Sequence, residues 1–305
     1  MGRIVVGVDG SEHAAGALRW ARREARLHGH ELTAVLAWGL FDQLHAGGEP
    51  CFDPDYGPAD AAAALAAAVE RAVGADAAAE INQTAVCDLP ARALLNAAQD
   101  ADMLVVGPRG LGRVRGLLLG SVSQACLHHA PCPIAVVHGG ATAPADARPV
   151  GGQSPPTGRI VVGVDGSEVS GRALSWALAE ARVRGATVEA VHGWHVPYAL
   201  AFPAAAVDLP VFEDAARHLL DRMVDAAEAH APGVPIRRVL VEGAATEALL
   251  DAAKNADLLV VGSRGVGGFR GLLVGSVSYQ LAHYATCPAV VVPPEGPTAR
   301  PSDGA

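Results

Sequence analysis

Two glycine-punctuated stretches carry the chemistry that this sequence can offer: Met103 to Ser123 (MLVVGPRGLGRVRGLLLGSVS) and Leu258 to Ser278 (LLVVGSRGVGGFRGLLVGSVS). In each, a run rich in Val and Leu, short enough for a buried strand, opens into a loop that closes with Gly-Ser-Val-Ser at the head of an amphipathic segment. The glycines hold fixed places: Gly107, Gly110, then nine residues to Gly120-Ser121, and again Gly262, Gly265 and Gly275-Ser276, with Gly112 and Gly267 inside the loops. Glycine lets a ligand come close to the main chain, and the amides and positive dipole end of the following helix attract anions. The spacing predicts a phosphate site in each copy.

A loop of this length can also be a mere connector. The order of the glycines, the hydroxyl pair Ser121 and Ser123, and their recurrence at Ser276 and Ser278 favour phosphate. Asp9 and Asp165 each end an apolar strand (Val5-Val6-Gly7-Val8-Asp9-Gly10-Ser11 and Val161-Val162-Gly163-Val164-Asp165-Gly166-Ser167). Such an aspartate either accepts from the next helix's amides or faces a ligand at the carboxyl end of the sheet. Arg109 and Arg264 sit between the two leading glycines, where the guanidinium fork can meet phosphate oxygens or simply lie in solvent. Pro108 stands where the second copy has Ser263, which takes an N–H and a hydroxyl from the first loop and predicts weaker binding there.

Composition narrows the field. The formal net charge of -9 opposes a polyanion over most of the surface and argues against a nucleic-acid partner. The single lysine, Lys254, follows no glycine loop, so the Walker-type phosphate loop is absent. Cys51, Cys87, Cys126, Cys132 and Cys287 are an odd set scattered through a large chain, unlike a disulfide framework, and point to a reducing cytoplasm. No secretory signal pattern opens the sequence, and the alanine-rich run from Ala59 to Ala79 carries too many charges to span a membrane. Cys126, His128, His129 and Cys132 have zinc-type ligands, but the matching positions of the second copy are Leu281, His283, Tyr284 and Cys287, so no metal site is expected. His192 reads as a satisfied core histidine.

These stretches must be positioned by a repeated unit. Arg3 to Asp9 reappears at Arg159 to Asp165, which divides the chain into a first domain (1–138), a Gly/Pro/Ala-rich linker (139–158), a second domain (159–293) and a tail (294–305). The first unit reads as a strand to Asp9, a helix capped by Ser11 and ending near Gly29, a strand at Glu31 to Trp38, and a long loop, Phe41 to Pro58. An alanine-rich helix follows, then a strand at Ile81 to Val86, a helix from Leu89, a strand to Val106, a helix from Ser121 and a last strand to His138. Strands alternating with helices predict an α/β chain of two tandem open doubly wound, Rossmann-like domains, each with a mostly parallel sheet covered on both faces. Ligands of such sheets sit beyond the carboxyl ends of the strands where strand order reverses.

The glycine spacing, taken with Val-Gly-Val-Asp-Gly-Ser in both halves, resembles the universal stress protein family in its ATP-binding branch, over nearly the whole of both units. The resemblance implies a five-stranded sheet ordered 3-2-1-4-5, which makes the strands ending at Asp9 and Gly107 neighbours. It also implies pairing of the two units along their last strands, further association of tandem chains into a homodimer, and a role in stress or growth arrest. ATP, with Mg2+, is then the expected ligand. Its expected contacts are Gly7, Asp9, Ala37, Gly107, Arg109, Gly110, Gly112, Gly120, Ser121 and Val122, and in the second unit Gly163, Asp165, Gly193, Gly262, Ser263, Arg264, Gly265, Gly267, Gly275, Ser276 and Val277. Ala37 and Gly193 stand where the family's second strand lines the adenine pocket; each can equally be a packing residue.

No residue stands out as a base for attacking water, so a nucleotide-responsive binding protein with at most slow hydrolysis is expected. A phosphoryl or adenylyl transferase is the alternative, with His45 and His195 in the long loops as its only candidate bases. A structural dimerisation module with degenerate sites is a third reading, opposed by the intact glycine patterns.

Overall fold

A computed structural model describes residues 2–39, 43–45, 47–111, 119–138, 158–195, 209–266 and 274–294. The first unit contains β1 (Arg3–Gly7), α1 (Glu12–His28), β2 (Glu31–Trp38), a small hairpin of β3 (Gln43–Leu44) and β4 (Pro50–Cys51), α2 (Pro58–Val73), α3 (Ala75–Ala78), β5 (Asn82–Cys87), α4 (Pro90–Ala97), β6 (Met103–Val106), α5 (Ser121–His129) and β7 (Ile134–Val136). The second contains β8 (Arg159–Gly163), α6 (Glu168–Arg184), β9 (Thr187–Trp194), α7 (Leu209–Glu228), β10 (Ile236–Glu242), α8 (Ala245–Ala253), β11 (Leu258–Gly262), α9 (Ser276–Tyr284) and β12 (Ala289–Val292).

Local chemistry sets the ends of the first helix in each unit. The Ser11 hydroxyl accepts from the Ala14 amide, and Gly29 closes α1 in a left-handed conformation with φ 65° that a side chain would resist. Ser167 and Gly185 do the same for α6. Between the caps, Ala14, Leu18, Ala21 and Ala25 recur at helical spacing, and all are buried.

The strands form one ten-stranded sheet ordered β10-β9-β8-β11-β12-β7-β6-β1-β2-β5. Each half is parallel and carries the order 3-2-1-4-5 when its sheet strands are counted alone. The pleat splits the core into two layers: Ile4 and Val6 pack with Leu18 and Leu65 on one face, while Val5 packs with Leu94, Leu104 and Leu127 on the other. Full burial of each such side chain is worth roughly 1.5–3 kcal/mol.

The halves join through β7 and β12, the one antiparallel pair in this sheet. Ala135 lies opposite Val290, its own counterpart in the repeat, so a local two-fold passes between them and the join is self-complementary. Helices α1 and α6 also meet across this seam. There Glu24 and Glu180, counterparts in the repeat, are both buried, at 2% and 3% exposure. Arg184 holds both: its Nε donates to Glu180 at 2.6 Å and a terminal nitrogen donates to Glu24. The Arg184 counterpart, His28, places Nε2 3.0 Å from Glu180. Burial outweighs Arg184 and holds the Glu24 carboxyl above its ordinary range.

The expected linker, apart from Gly158, lies outside the described residues, as do 295–305 of the tail and most of the second long loop. Among the described residues no helix is long and apolar enough to cross a membrane.

Candidate functional site

The carboxyl ends of β1, β2 and β6 and the start of α5 enclose a cavity of about 530 Å3 in the first unit. Its size suits a small-molecule ligand. Gly7, Asp9, Ala37, Gly107, Arg109, Gly110, Gly120, Ser121 and Val122 all line it, so nine of the ten positions expected from the sequence converge. The tenth, Gly112, lies outside the described residues, as does Gly267 in the second unit. Among the lining residues that the sequence reading missed are Val35, Leu36, Gln43 and Leu44. Their signal was faint: the first two look like any strand residues, and the others sit in the long loop before α2.

That loop is held down rather than open. The Gln43 amide nitrogen donates to the Asp53 carbonyl at 3.0 Å, and its oxygen accepts from the Asp53 amide at 2.6 Å. The Tyr56 hydroxyl donates to the Leu44 carbonyl at 2.9 Å. Leu44 in turn presses on Gly10, where φ is 83° and a Cβ would lie 2.9 Å from its Cδ2. In the second unit Leu219 of α7 presses on Gly166 in the same way.

Asp9 acts as a latch. Its Oδ1 accepts from the Ser11 amide at 3.0 Å and hydroxyl at 2.6 Å, while Oδ2 accepts from the Leu111 amide at 2.9 Å. The aspartate therefore ties the strand end to the glycine loop. Asp165 repeats this with Ser167 and the Val266 amide. Burial works against its ionisation, but the Ser167 hydroxyl and amide, the Val266 amide and the Ser170 hydroxyl outweigh it and hold Asp165 below the usual carboxylate range.

Three loop glycines of each copy do different jobs. A Cβ on Gly107 would meet the His13 main chain at 3.0 Å, and one on Gly262 the Val169 main chain at 3.0 Å, so these positions let the strand end lie against the first helix. A Cβ on Gly110 or Gly265 would run into the latching aspartate. The amides of Gly120 and Gly275 donate to the carbonyls of Pro108 and Ser263, each at 2.7 Å, and close the loop. The second hydroxyl of each pair is also structural: Ser123 and Ser278 are buried and donate to the Gly107 and Gly262 carbonyls at 2.7 and 2.6 Å.

What remains for a ligand is the start of α5. No side chain caps it, and the first intrahelical acceptor, the Gly120 carbonyl, is taken by Gln124. The amides of Ser121, Val122 and Ser123 come before that bond, with the exposed Ser121 hydroxyl beside them, on the cavity wall. The start of α9 is built alike around Gly275, Ser276 and Val277.

The two copies are not identical. Ser263 donates its amide to the Val292 carbonyl at 2.7 Å, so the missing amide of Pro108 withdraws nothing from the first crevice, and that part of the expected difference falls. The Ser263 hydroxyl is buried without a partner among the described residues. Arg109 is half-buried and Arg264 exposed. Gly193 has Ala245 of α8 pressed against it, with a Cβ placed 2.8 Å from the Ala245 Cα, so packing alone demands glycine there, whereas its counterpart Ala37 faces the cavity.

Of the other candidates, His45 and His195 are exposed, and neither lines the cavity. His192 is satisfied by the Val164 carbonyl, 2.7 Å from Nδ1. Burial pushes the thiols of Cys126 and Cys132 up to about 12, so they are not thiolate ligands at neutral pH. Among the described residues, Glu24, His28 and Glu180 are the one group whose ligand-type atoms lie within 4.8 Å of one another. Arg184 already holds both carboxylates, and Arg23 interacts with Glu24 as well, so the positive charge a metal would supply is in place.

The model of the universal stress protein family matches residues 1–138 and again 156–293. A universal stress protein of Mycolicibacterium smegmatis is 36% identical over 307 residues, covering 95% of this chain and 97% of its own. One of Mycobacterium tuberculosis is 33% identical over 295 residues, covering 94% and 96%. Among solved structures, a universal stress protein from Archaeoglobus fulgidus superposes with a TM-score of 0.60 at 20% identity, over 96% of this chain and 98% of that one, a likeness of fold.

Proposed function

The chain belongs to the universal stress protein family, in tandem form, and from that premise we propose that the crevice of its first unit binds ATP. One observation carries the reading: the uncapped start of α5 faces a cavity whose opposite wall is apolar. The triphosphate lies on the amides of Ser121 and Val122 with Arg109 beside it, and the base rests among Val35, Leu36, Ala37 and Leu44. The second unit, through Ser276, Val277 and Arg264, offers a second binding position.

Mg2+ fits this crevice poorly as a protein-held ion. Asp9 is the only carboxylate among the described lining residues, and both its oxygens already accept hydrogen bonds. Any magnesium would therefore come with the triphosphate and not be held by the side chains of this chain. The same engagement leaves Asp9 a poor general base, so the protein acts by binding, with hydrolysis slow at most. Its role is that of a cytoplasmic, nucleotide-responsive regulator in stress or growth arrest, working as a dimer of tandem chains and without nucleic acid.

The test is mass spectrometry of the nucleotide released on denaturing freshly purified protein, compared with Ser121→Asp and Ser276→Asp variants. An acid in the first helical turn favours the helix but opposes a bound anion. The variants should melt no lower than the parent and release less ATP. Parent protein that neither carries nor binds ATP, or a Ser121→Asp variant that binds it equally well, would sink the reading.

A further inference from the structure

Four basic side chains lie close enough to act on one another across the β7–β12 join: His13 at the start of α1, Arg109 in the glycine loop, His138 just past β7, and His283 in the last turn of α9. Arg109 opens onto the cavity. Nδ1 of His13, Nε of Arg109, both ring nitrogens of His138 and Nδ1 of His283 are buried with no well-formed hydrogen bond among the described residues, the nearest acceptor to His138 being the His283 carbonyl. None of the four is in a salt bridge among the described residues. Unpartnered buried donors are costly, and several in one place ask for a common acceptor.

We propose that Arg109, His138 and His283, with His13 behind them, form a phosphoryl-binding spot on the seam between the units, entered from the first crevice and present once per chain. The strongest charges acting on His138 are His13, His283 and Arg109, and the charge acting on His283 is Arg109; all are basic. Burial first, and then these neighbours, push His138 down to about 4, although the nearby His283 carbonyl favours its protonated form. Without an anion the His138 and His283 rings stay neutral at pH 7. A phosphoryl group brings acceptors and negative charge together, so it binds with proton uptake.

The repeat supplies an internal comparison. The counterparts of His13, Arg109, His138 and His283 are Val169, Arg264, Pro293 and His128, so the mirror position keeps one histidine and an exposed arginine. His283 is also braced by two tyrosines: Tyr279 stacks on it at 5.7 Å and Tyr284 meets it edge-on at 4.7 Å, whereas His128 has the His129 ring at 6.3 Å and Gln124 in place of Tyr279. The second unit thus contributes one side chain across the seam, and the gathering is not repeated.

The phosphoryl group comes either from the tail of a nucleotide in the first crevice or from free phosphate, and the full chain distinguishes these. Histidine ring resonances are titrated with pH alone, with inorganic phosphate, with AMP and with ATP, in the parent and in His138→Gln, His283→Gln and, as control, His128→Gln. Two resonances, missing from the first two variants, should rise in midpoint by about one unit or more when the ligand is present. If inorganic phosphate does this, the spot takes the free ion. If only ATP does, and His283→Gln weakens ATP roughly tenfold while sparing AMP, the nucleotide tail fills it. Both outcomes uphold the proposal, and the first does so even if no nucleotide binds. Midpoints unmoved by every ligand, or a folded His283→Gln chain that binds phosphate and ATP as the parent does near pH 6, would overturn it while leaving ATP binding in the crevice intact.

Discussion

Oδ2 of Asp9 occupies the space that a side chain on Gly110 would need: a Cβ there falls 2.0 Å from that oxygen, and one on Gly265 falls 2.1 Å from Oδ2 of Asp165. Carboxylate and glycine are thus two halves of one latch, present in both units. Gly110→Ala should break the bond to Leu111 and leave that amide without its acceptor, at a cost of about 1–3 kcal/mol. In an Asp9→Ala background the same change should cost little, since the obstructing oxygen is gone. Denaturant titration of the four-member cycle measures the coupling, and additive effects would refute the latch.

Gly107 and Gly262 answer to a different constraint, the main chain of the first helix at 3.0 Å. Gly107→Ala should therefore lose about 1–3 kcal/mol of stability with or without nucleotide, because packed backbone cannot yield cheaply. At Gly120 the nearest atom is 3.5 Å from a Cβ, so Gly120→Ala should cost under about 1 kcal/mol, the loss of a preferred cap residue. Thermal melts of the two variants rank them, and the reverse order would contradict this division of roles.

The Asp165 latch carries a pH signature. Its carboxyl is held below the usual range by the hydrogen bonds it accepts, so the folded state binds a proton less readily than the unfolded chain. The stabilisation is fully present above the ordinary carboxylate range and is lost as pH falls through the lowered folded value. The stability difference between the parent and Asp165→Asn should stay level from about pH 8 to 5 and shrink only below about pH 4. Acid titration of both proteins, followed by denaturant unfolding at each pH, measures it; a difference that changes between pH 8 and 5 would assign the effect to another group.

At the seam, Arg184 stands between two carboxylates that are 2% and 3% exposed as residues. Arg184→Met leaves both buried acids without their shared guanidinium and should destabilise the chain by about 3–5 kcal/mol. Adding Glu24→Gln and Glu180→Gln should recover much of that loss, since the triple variant buries no unpaired charge. Urea unfolding of the single and triple variants checks it, and equal stabilities would show that the cluster is not the clasp between α1 and α6.

Much of this architecture could be read from local pattern. The repeat from Arg3 to Arg159, the caps at Ser11 and Gly29, the strand at Glu31 to Trp38 and the glycine loop positions follow from periodicities and dihedral preferences that act over a few residues, which is why the expected and observed elements agree so closely. Pairing along the last strands came from the likeness to a family; the register that sets Ala135 opposite Val290 needed the folded chain. Spacing placed Gly107, Gly110, Gly120 and Ser123 in one loop motif without saying what each meets. His13 behind Gly107, the Asp9 oxygen under Gly110 and the Gly107 carbonyl before Ser123 are contacts between segments far apart in the chain, settled by close packing in three dimensions. The gatherings at the seam, Glu24 with Glu180 and His138 with His283, were invisible for the same reason: their members are separated by about half the chain, and the antiparallel join of β7 with β12 brings them together.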